Sequence, residues 1–171
     1  NYKTDSESGL YRTTDGGTNW TKILSLTNIY YSAADVSSGV GCHHQIEIDT
    51  SAPSKIYFGS YKQGFYRSLN GGTTWSKTSD ATLDTKGIRV VRIDPFNSSK
   101  ILVGTDEGEL WVSDDSGATL IQVTSPGFPS GIVGNIVFHP AVPNTVFVVS
   151  ENSGLYKSTT GGATTGSYTL M

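Results

Sequence analysis

Charge is the first thing this sequence is short of. Asp, Glu, Lys and Arg make up 16% of its 171 residues, against roughly 25% in ordinary globular domains. The net charge is −3, so the basic footprint of a nucleic-acid binder is missing and no nucleic-acid partner is expected. Apolar residues never run on for the roughly 18 positions that a membrane-crossing helix needs. The one cysteine, Cys42, excludes an internal disulfide and so a disulfide-scaffolded miniprotein. Helical periodicity is absent too: nowhere do apolar residues recur at i, i+3 and i+4 over about ten positions. With no Met and no signal peptide at Asn1, the sequence reads as a mature product or a fragment.

What fills the space is Ser, Thr, Gly and Asn, punctuating short runs of β-branched and aromatic residues. The third of four repeats is the clearest. It runs Ile88 to Pro95, Ile101 to Thr105, Glu109 to Ser113 and Leu120 to Val123. The second gives Gln45 to Asp49, Ile56 to Gly59, Phe65 to Ser68 and Trp75 to Lys77, and the fourth gives Asn135 to Pro140, Val146 to Val149, Leu155 to Ser158 and Tyr168 to Leu170. The first is partial: Tyr2 to Thr4, Leu10 to Thr13 and Trp20 to Leu24 match the second, third and fourth strands.

A glycine turn recurs in each repeat as Asp15-Gly16-Gly17-Thr18-Asn19-Trp20, Asn70-Gly71-Gly72-Thr73-Thr74-Trp75, Asp115-Ser116-Gly117-Ala118-Thr119-Leu120 and Thr160-Gly161-Gly162-Ala163-Thr164-Thr165. Its first residues stand at 15, 70, 115 and 160, spacings of 55, 45 and 45. Four-stranded antiparallel units at such a period are the signature of propeller blades. The fold class is therefore all-β: a single partial β-propeller over 1–171, with part of a blade at 1–26 and blades at about 42–79, 87–124 and 132–171. That is fewer than the roughly four to eight blades of a closed ring, and an unclosed set exposes strand edges. Remaining blades are expected from a parent chain, a second fragment or self-association; a stable 18.2 kDa monomer would contradict this.

The pattern Ser/Thr-x-Asp-x-Gly-x-Thr-Trp resembles the Asp-box, or BNR repeat, of sialidases, family 74 glycoside hydrolases and sortilin-type receptors. With Leu10-Tyr11-Arg12 or Phe65-Tyr66-Arg67 ahead of the box, and Ile-Asp-Pro…Ile-Leu-Val-Gly at 93–104, it is most similar to the xyloglucanase-type propellers. The box residues Asp15, Gly17, Trp20, Asn70, Gly72, Trp75, Asp115 and Gly117 are read as structural. The aspartate accepts amides of its own turn, the glycines supply positive φ, and the tryptophan packs into the blade. Asn70, Leu120, Thr160 and Thr165 depart from the pattern, a drift that a structural role tolerates.

The resemblance implies that ligands meet the opposite face, made of the loops between second and third strands and the approaches to each first strand. Candidates for substrate binding there are His43, His44, Tyr61, Lys62, Glu107 and Glu151. Gly104-Thr105-Asp106 resembles the xyloglucanase segment in which a catalytic aspartate follows a threonine, so Asp106 is the candidate general acid or base. Thr4-Asp5 is a second match, with one extra residue before its aromatic–arginine pair. Inverting enzymes place two carboxyls roughly 6.5–9.5 Å apart around a water, and no partner for Asp106 can be assigned.

No cofactor is expected. Nor is a metal: alternation separates His43 from Cys42 and His44, and three adjacent ligands make a poor tetrahedral site. His139 stands where Asp49 and Asp94 stand before their turns and is read as a turn residue. Arg12, Arg67, Arg89 and Arg92 raise the arginine triad of sialidases, but Arg12 and Arg67 lie beside the boxes. No nucleophile elbow is recognisable. Few lysines, much Ser and Thr, and the sequons at Asn19 and Asn97 suggest an extracellular protein. Two functions stay open: a binding or structural propeller with a glycan or protein partner, and a secreted inverting hydrolase of xyloglucanase type.

Overall fold

The computed structural model describes residues 8–26, 45–78, 80–124, 128, 131–163 and 168–171. Strands β1 (Gly9–Arg12) and β2 (Thr21–Ser25) form a two-stranded sheet, blade one. Blade two holds β3 (Ile46–Ile48), β4 (Ile56–Gly59), β5 (Phe65–Ser68) and β6 (Ser76–Lys77). Blade three holds β7 (Ile88–Asp94), β8 (Asn97–Thr105), β9 (Leu110–Ser113) and β10 (Ile121–Gln122). Blade four holds β11 (Val133–Phe138), β12 (Val146–Ser150), β13 (Gly154–Ser158) and β14 (Thr169–Leu170). Each four-stranded sheet is an antiparallel meander in chain order. The chain is thus a run of propeller blades. Among the described residues the only helix is a single 3-10 turn, Leu83–Thr85, that buries Leu83 between blades two and three.

The core lies between the sheets. Because blade three is covered on both faces, β8 reads as the continuous run Ile101-Leu102-Val103 rather than as an alternation of apolar and polar. Pleating sends its side chains both ways. Ile101, Val103 and Trp111 join Tyr57 and Phe65 of blade two. Leu102, Leu110 and Val112 join Val133, Ile136, Val148 and Tyr156 of blade four. Burying each such side chain contributes about 1.5–3 kcal/mol.

Two glycines set the spacing. A Cβ on Gly59 would overlap Ile88 of blade three, and one on Gly104 would overlap Val133 of blade four. In blades two and three the second strand is therefore bare near its end so that the next blade's first strand can come in against it.

The glycine turns join third to fourth strands, as the repeat implies. Asp15 Oδ1 accepts the Asn19 amide at 2.9 Å and the Thr13 hydroxyl at 2.8 Å. Asp115 Oδ1 accepts the Thr119 amide at 2.9 Å and the Ser113 hydroxyl at 2.8 Å. Asn70 does the same work with its carbonyl, taking the Thr74 amide at 2.8 Å and the Ser68 hydroxyl at 3.0 Å. An acceptor oxygen is what the turn needs, not a charge. In the fourth copy the Ser158 hydroxyl lies 3.0 Å from the Thr160 hydroxyl and accepts the Thr160 amide at 3.2 Å.

The tryptophans correct the expectation that they pack into the blade. Trp20 is 59% exposed, and Trp75 is only half-buried. Each indole lies back over its own turn, donating from Nε1 to the Gly17 carbonyl at 3.0 Å and the Gly72 carbonyl at 3.2 Å. The reason is position: the indole follows the turn on the outermost strand, where it caps a hairpin rather than filling a core. Leu120, which replaces it in blade three, does reach the core against blade two.

Box turns also dock on the preceding blade. A Cβ on the second glycine of the box would sit 2.8 Å from the preceding blade each time: Gly72 from Ile23 of blade one, Gly117 from Phe65 of blade two and Gly162 from Leu102 of blade three. Third-strand arginines hold the same junction. Arg12 donates to the Gly71 carbonyl of the next box, and Arg67 Nη1 to the Ser116 carbonyl of the one after, at 3.0 Å. His139 fills the turn role expected of it: Nδ1 accepts the amides of Ala141 and Val142 at 3.1 and 3.0 Å, as Asp49 Oδ1 accepts those of Ser51 and Ala52 at 2.9 and 3.2 Å.

Candidate functional site

The loops between second and third strands fall at the end of the blades away from the boxes, and three of them converge around Gly87 and Arg89. Strand β7 begins beside this cluster. Its register slips between Ile88 and Val90, which leaves Arg89 as the extra residue of a bulge and turns its side chain toward the loops.

Arg89 is only 1% exposed. Its Nε lies 3.1 Å from Asp106 Oδ1 and its Nη1 3.2 Å from Glu151 Oε1. Asp106 belongs to blade three and Glu151 to blade four, so one buried guanidinium joins two blades through two carboxylates. Removing the Arg89 charge would leave the two carboxylates facing each other, and removing a carboxylate would leave a buried cation only half compensated. Arg89 is the site residue that the sequence did not single out. It stood as one of four arginines, and only the bulge separates it from Arg92, which instead bonds the Val91 carbonyl and Asn135 and lies 3.7 Å from Glu47.

Asp106 is fixed by its backbone as well. Its amide donates to the Gly87 carbonyl at 2.8 Å, and the Gly87 amide donates to Glu107 Oε2 at 3.3 Å. A Cβ on Gly87 would overlap Asp106 Oδ2 and come 3.0 Å from the Tyr61 ring. Tyr61 and Asp106 thus stand on either side of a bare backbone position, and Tyr61 pairs with Gly87 in an isolated bridge. Lys62 has φ +57°, donates its amide to the Lys86 carbonyl at 2.9 Å and places its ammonium 4.9 Å from the centre of the Tyr61 ring. Beside them Lys86 Nζ lies 2.8 Å from Glu109 Oε1, and that hydrogen bond holds the ammonium above its ordinary pKa.

Of the residues expected to line the site, Tyr61, Lys62, Asp106 and Glu107 therefore meet around Lys86 and Gly87, and Glu151 is tied in through Arg89. His43, His44, Cys42 and Asp5 lie outside the described residues. Among the described residues no three His, Cys, Asp or Glu side chains converge as a metal site would require, and no helix is long and apolar enough to cross a membrane.

Chemically the cluster offers an aromatic face, an ammonium beside it and carboxylates already spent on a cation. A general acid must carry a proton, and protonating Asp106 would strip a partner from buried Arg89. Hydrogen bonding to hydroxyls, with a ring for stacking, asks for no such change.

Known proteins resemble the chain along most of its length. A xyloglucanase of Hypocrea jecorina (strain QM6a) is 27% identical over 183 residues, covering 91% of this chain and 21% of the relative. A xyloglucanase of Paenibacillus sp. is 26% identical over 169 residues, covering 92% of this chain and 15% of the relative. The chain therefore spans about a fifth or less of the curated relatives it matches. Among solved structures, an ancestral GH74 enzyme superposes with a TM-score of 0.71 at 23% identity, covering 98% of this chain and 22% of the other. The GH74 enzyme of Niastella koreensis gives a TM-score of 0.69 at 19% identity, covering 93% of this chain and 25% of the other. The fold is common to these structures. The family model described as "Sortilin, neurotensin receptor 3" matches residues 63–169, which takes in the end of blade two and all of blades three and four, and the chain belongs to this Sortilin-Vps10 family of Asp-box propellers.

Proposed function

We propose that this chain supplies blades to a glycoside-hydrolase-like propeller whose loop face binds a polysaccharide of xyloglucan type, as an extracellular binding or structural module. The observation that carries this reading is the double ion pair at Arg89: both nearby carboxylates serve one buried cation. The relatives named xyloglucanase supply the substrate class. Tyr61 and Lys62 offer a stacking ring and a donor next to Glu107. An extracellular setting fits the exposed sequon residue Asn97. Asn19 is a poorer acceptor site, because its Nδ2 donates to Asp15 at 2.7 Å.

Electrophoresis through a gel containing xyloglucan, run beside an assay for new reducing ends, tests the reading. The expected result is retarded migration without release of reducing ends, with the retardation weakened in Tyr61→Ala. Unretarded migration of the unsubstituted protein would overturn it.

A second reading is favoured by one specific observation. Asp106 Oδ1 lies 3.1 Å from Arg89 Nε, a pairing that suits a general base, and in an inverting mechanism the acid would then come from elsewhere in the propeller. Reducing ends released by the unsubstituted protein and lost in Asp106→Asn would establish that reading over the first.

A further inference from the structure

In each full blade the turn between first and second strands closes on the box of the same blade. The Ser54 carbonyl accepts the Gly71 amide at 2.8 Å, the Ser99 carbonyl the Ser116 amide at 2.9 Å and the Asn144 carbonyl the Gly161 amide at 2.7 Å. These bonds align the three turns residue by residue. Just ahead of the bonded carbonyl, blade two carries Ser51-Ala52 and blade four Ala141-Val142, whereas blade three carries Phe96-Asn97. Phe96 is 49% exposed, although blade three lies between two others. Asn97-Ser98-Ser99 is an N-glycosylation sequon. Blade three alone thus sets an uncovered aromatic ring beside an acceptor asparagine.

The segment around that asparagine is held in place. The Phe96 amide donates to Asp94 Oδ1 at 2.9 Å, and Ser98 Oγ accepts from Lys55 Nζ of blade two at 3.4 Å. Exposed Asn97 is fixed through its oxygen, which accepts the Ser99 amide at 3.1 Å. That leaves Nδ2, the atom to which a glycan attaches, unengaged among the described residues.

We propose that Asn97 carries an N-linked oligosaccharide and that its first N-acetylhexosamine ring covers Phe96. The step is a glycosyl transfer from a lipid-linked pyrophosphate donor. The bond between sugar C1 and the phosphate oxygen breaks, C1 bonds to Asn97 Nδ2, one amide proton is released and the lipid pyrophosphate leaves. Ser99 supplies the hydroxyl that the sequon requires. The C–H groups of the sugar's apolar face then meet the electron-rich face of the Phe96 ring, which takes apolar surface out of water. Because this turn lies at the box end, the glycan leaves the loop face around Tyr61 and Arg89 clear. Such a modification rests on the extracellular setting read above and is independent of any ligand at the loop face.

Glycopeptide mapping by mass spectrometry, on the native polypeptide collected from outside the cells of its source, tests the site. The peptide holding Asn97 is expected to carry hexosamine and to lose it to peptide N-glycosidase, with Asn97 converted to aspartate. An unmodified Asn97 in polypeptide collected outside the cells would overturn the proposal and leave the extracellular setting standing. Unmodified polypeptide found only inside the cells would overturn both. Hydroxyl-radical footprinting of the same material reads the contact with Phe96. Its ring is expected to oxidise several-fold faster once the whole glycan is removed, and to stay protected when an endoglycosidase leaves the first sugar. Equal oxidation with and without the glycan would overturn the covering of Phe96.

Discussion

At the box end of each blade, polar groups find partners within a few residues or on the blade next door through the backbone. At the loop end, charged side chains find each other across blades. The box is therefore forgiving: Asp15, Asn70, Asp115 and Thr160 fill one position, and each turn still closes on the Ser or Thr hydroxyl two residues earlier. The Arg89 cluster allows no such exchange, since a buried cation needs anionic partners held at bonding distance. Repetition marks the end that makes the scaffold, and irregularity marks the end where specificity can reside.

The largest test of that contrast is Arg89→Ala. It leaves Asp106 and Glu151 facing each other without their cation, and stability measured by denaturant titration should fall by about 3 kcal/mol. Arg89→Met keeps most of the volume and should cost less, because the stem still packs.

Gly117→Ala comes next. Gly117 has φ +75°, and a Cβ there would meet Phe65 Cε1 at 2.8 Å, so overpacking and backbone strain together should cost about 2 kcal/mol. Gly16→Ala serves as its control. Gly16 has φ +70° but no atom within 4 Å of an added Cβ, so strain alone should cost about 1 kcal/mol. Equal losses at the two sites would show that box turns do not dock on the preceding blade.

Arg67→Ala removes the donor to the Ser116 carbonyl and should cost about 1 kcal/mol, with Arg67→Lys recovering part of it.

The smallest effect lies in acid. Burial pushes Asp115 up, but the Thr119 amide and hydroxyl and the Ser113 hydroxyl outweigh it and leave the carboxyl below 3.8. Amide donation from Asn19 takes Asp15 down to about 2. A depressed folded pKa gives stability that is complete above the unfolded value and disappears as pH falls through the folded one. Asp115→Asn should thus flatten the loss of stability as pH falls below about 4, and Asn70→Asp should steepen it. Denaturation midpoints collected across that range would separate the two.

Much of the scaffold was legible in the sequence because a blade repeats. The runs at Ile56 to Gly59, Phe65 to Ser68 and Leu110 to Ser113 needed only alternation and turn residues to be found, and the box fixed their register. What a repeat cannot display is which residue meets its neighbour. Arg12 and Arg67 read as bystanders beside the turns, yet they bond the next blade. Trp20 reads as a core residue, yet it caps a surface hairpin. At the loop end, Asp106, Glu107, Tyr61 and Lys62 could be gathered from strand order alone. Strand order also puts Arg89 at this end, on the approach Asp84 to Arg89, but a one-residue bulge decides where its side chain goes and nothing in Ile88-Arg89-Val90-Val91 announces the slip.

Asn70 has a consequence for the ageing of the molecule. An asparagine followed by glycine is the pair most prone to deamidate, when the glycine nitrogen attacks the side-chain carbonyl and closes a succinimide ring. Here Gly71 N already donates to the Ser54 carbonyl at 2.8 Å, which engages the nucleophile, and the Thr74 amide on Asn70 Oδ1 holds the side chain in the turn's geometry. Should the ring form, opening it one way yields aspartate, the very residue found at this point in blades one and three. That product would give the turn the residue blades one and three use, whereas opening the ring the other way gives isoaspartate, which lengthens the backbone and would break it.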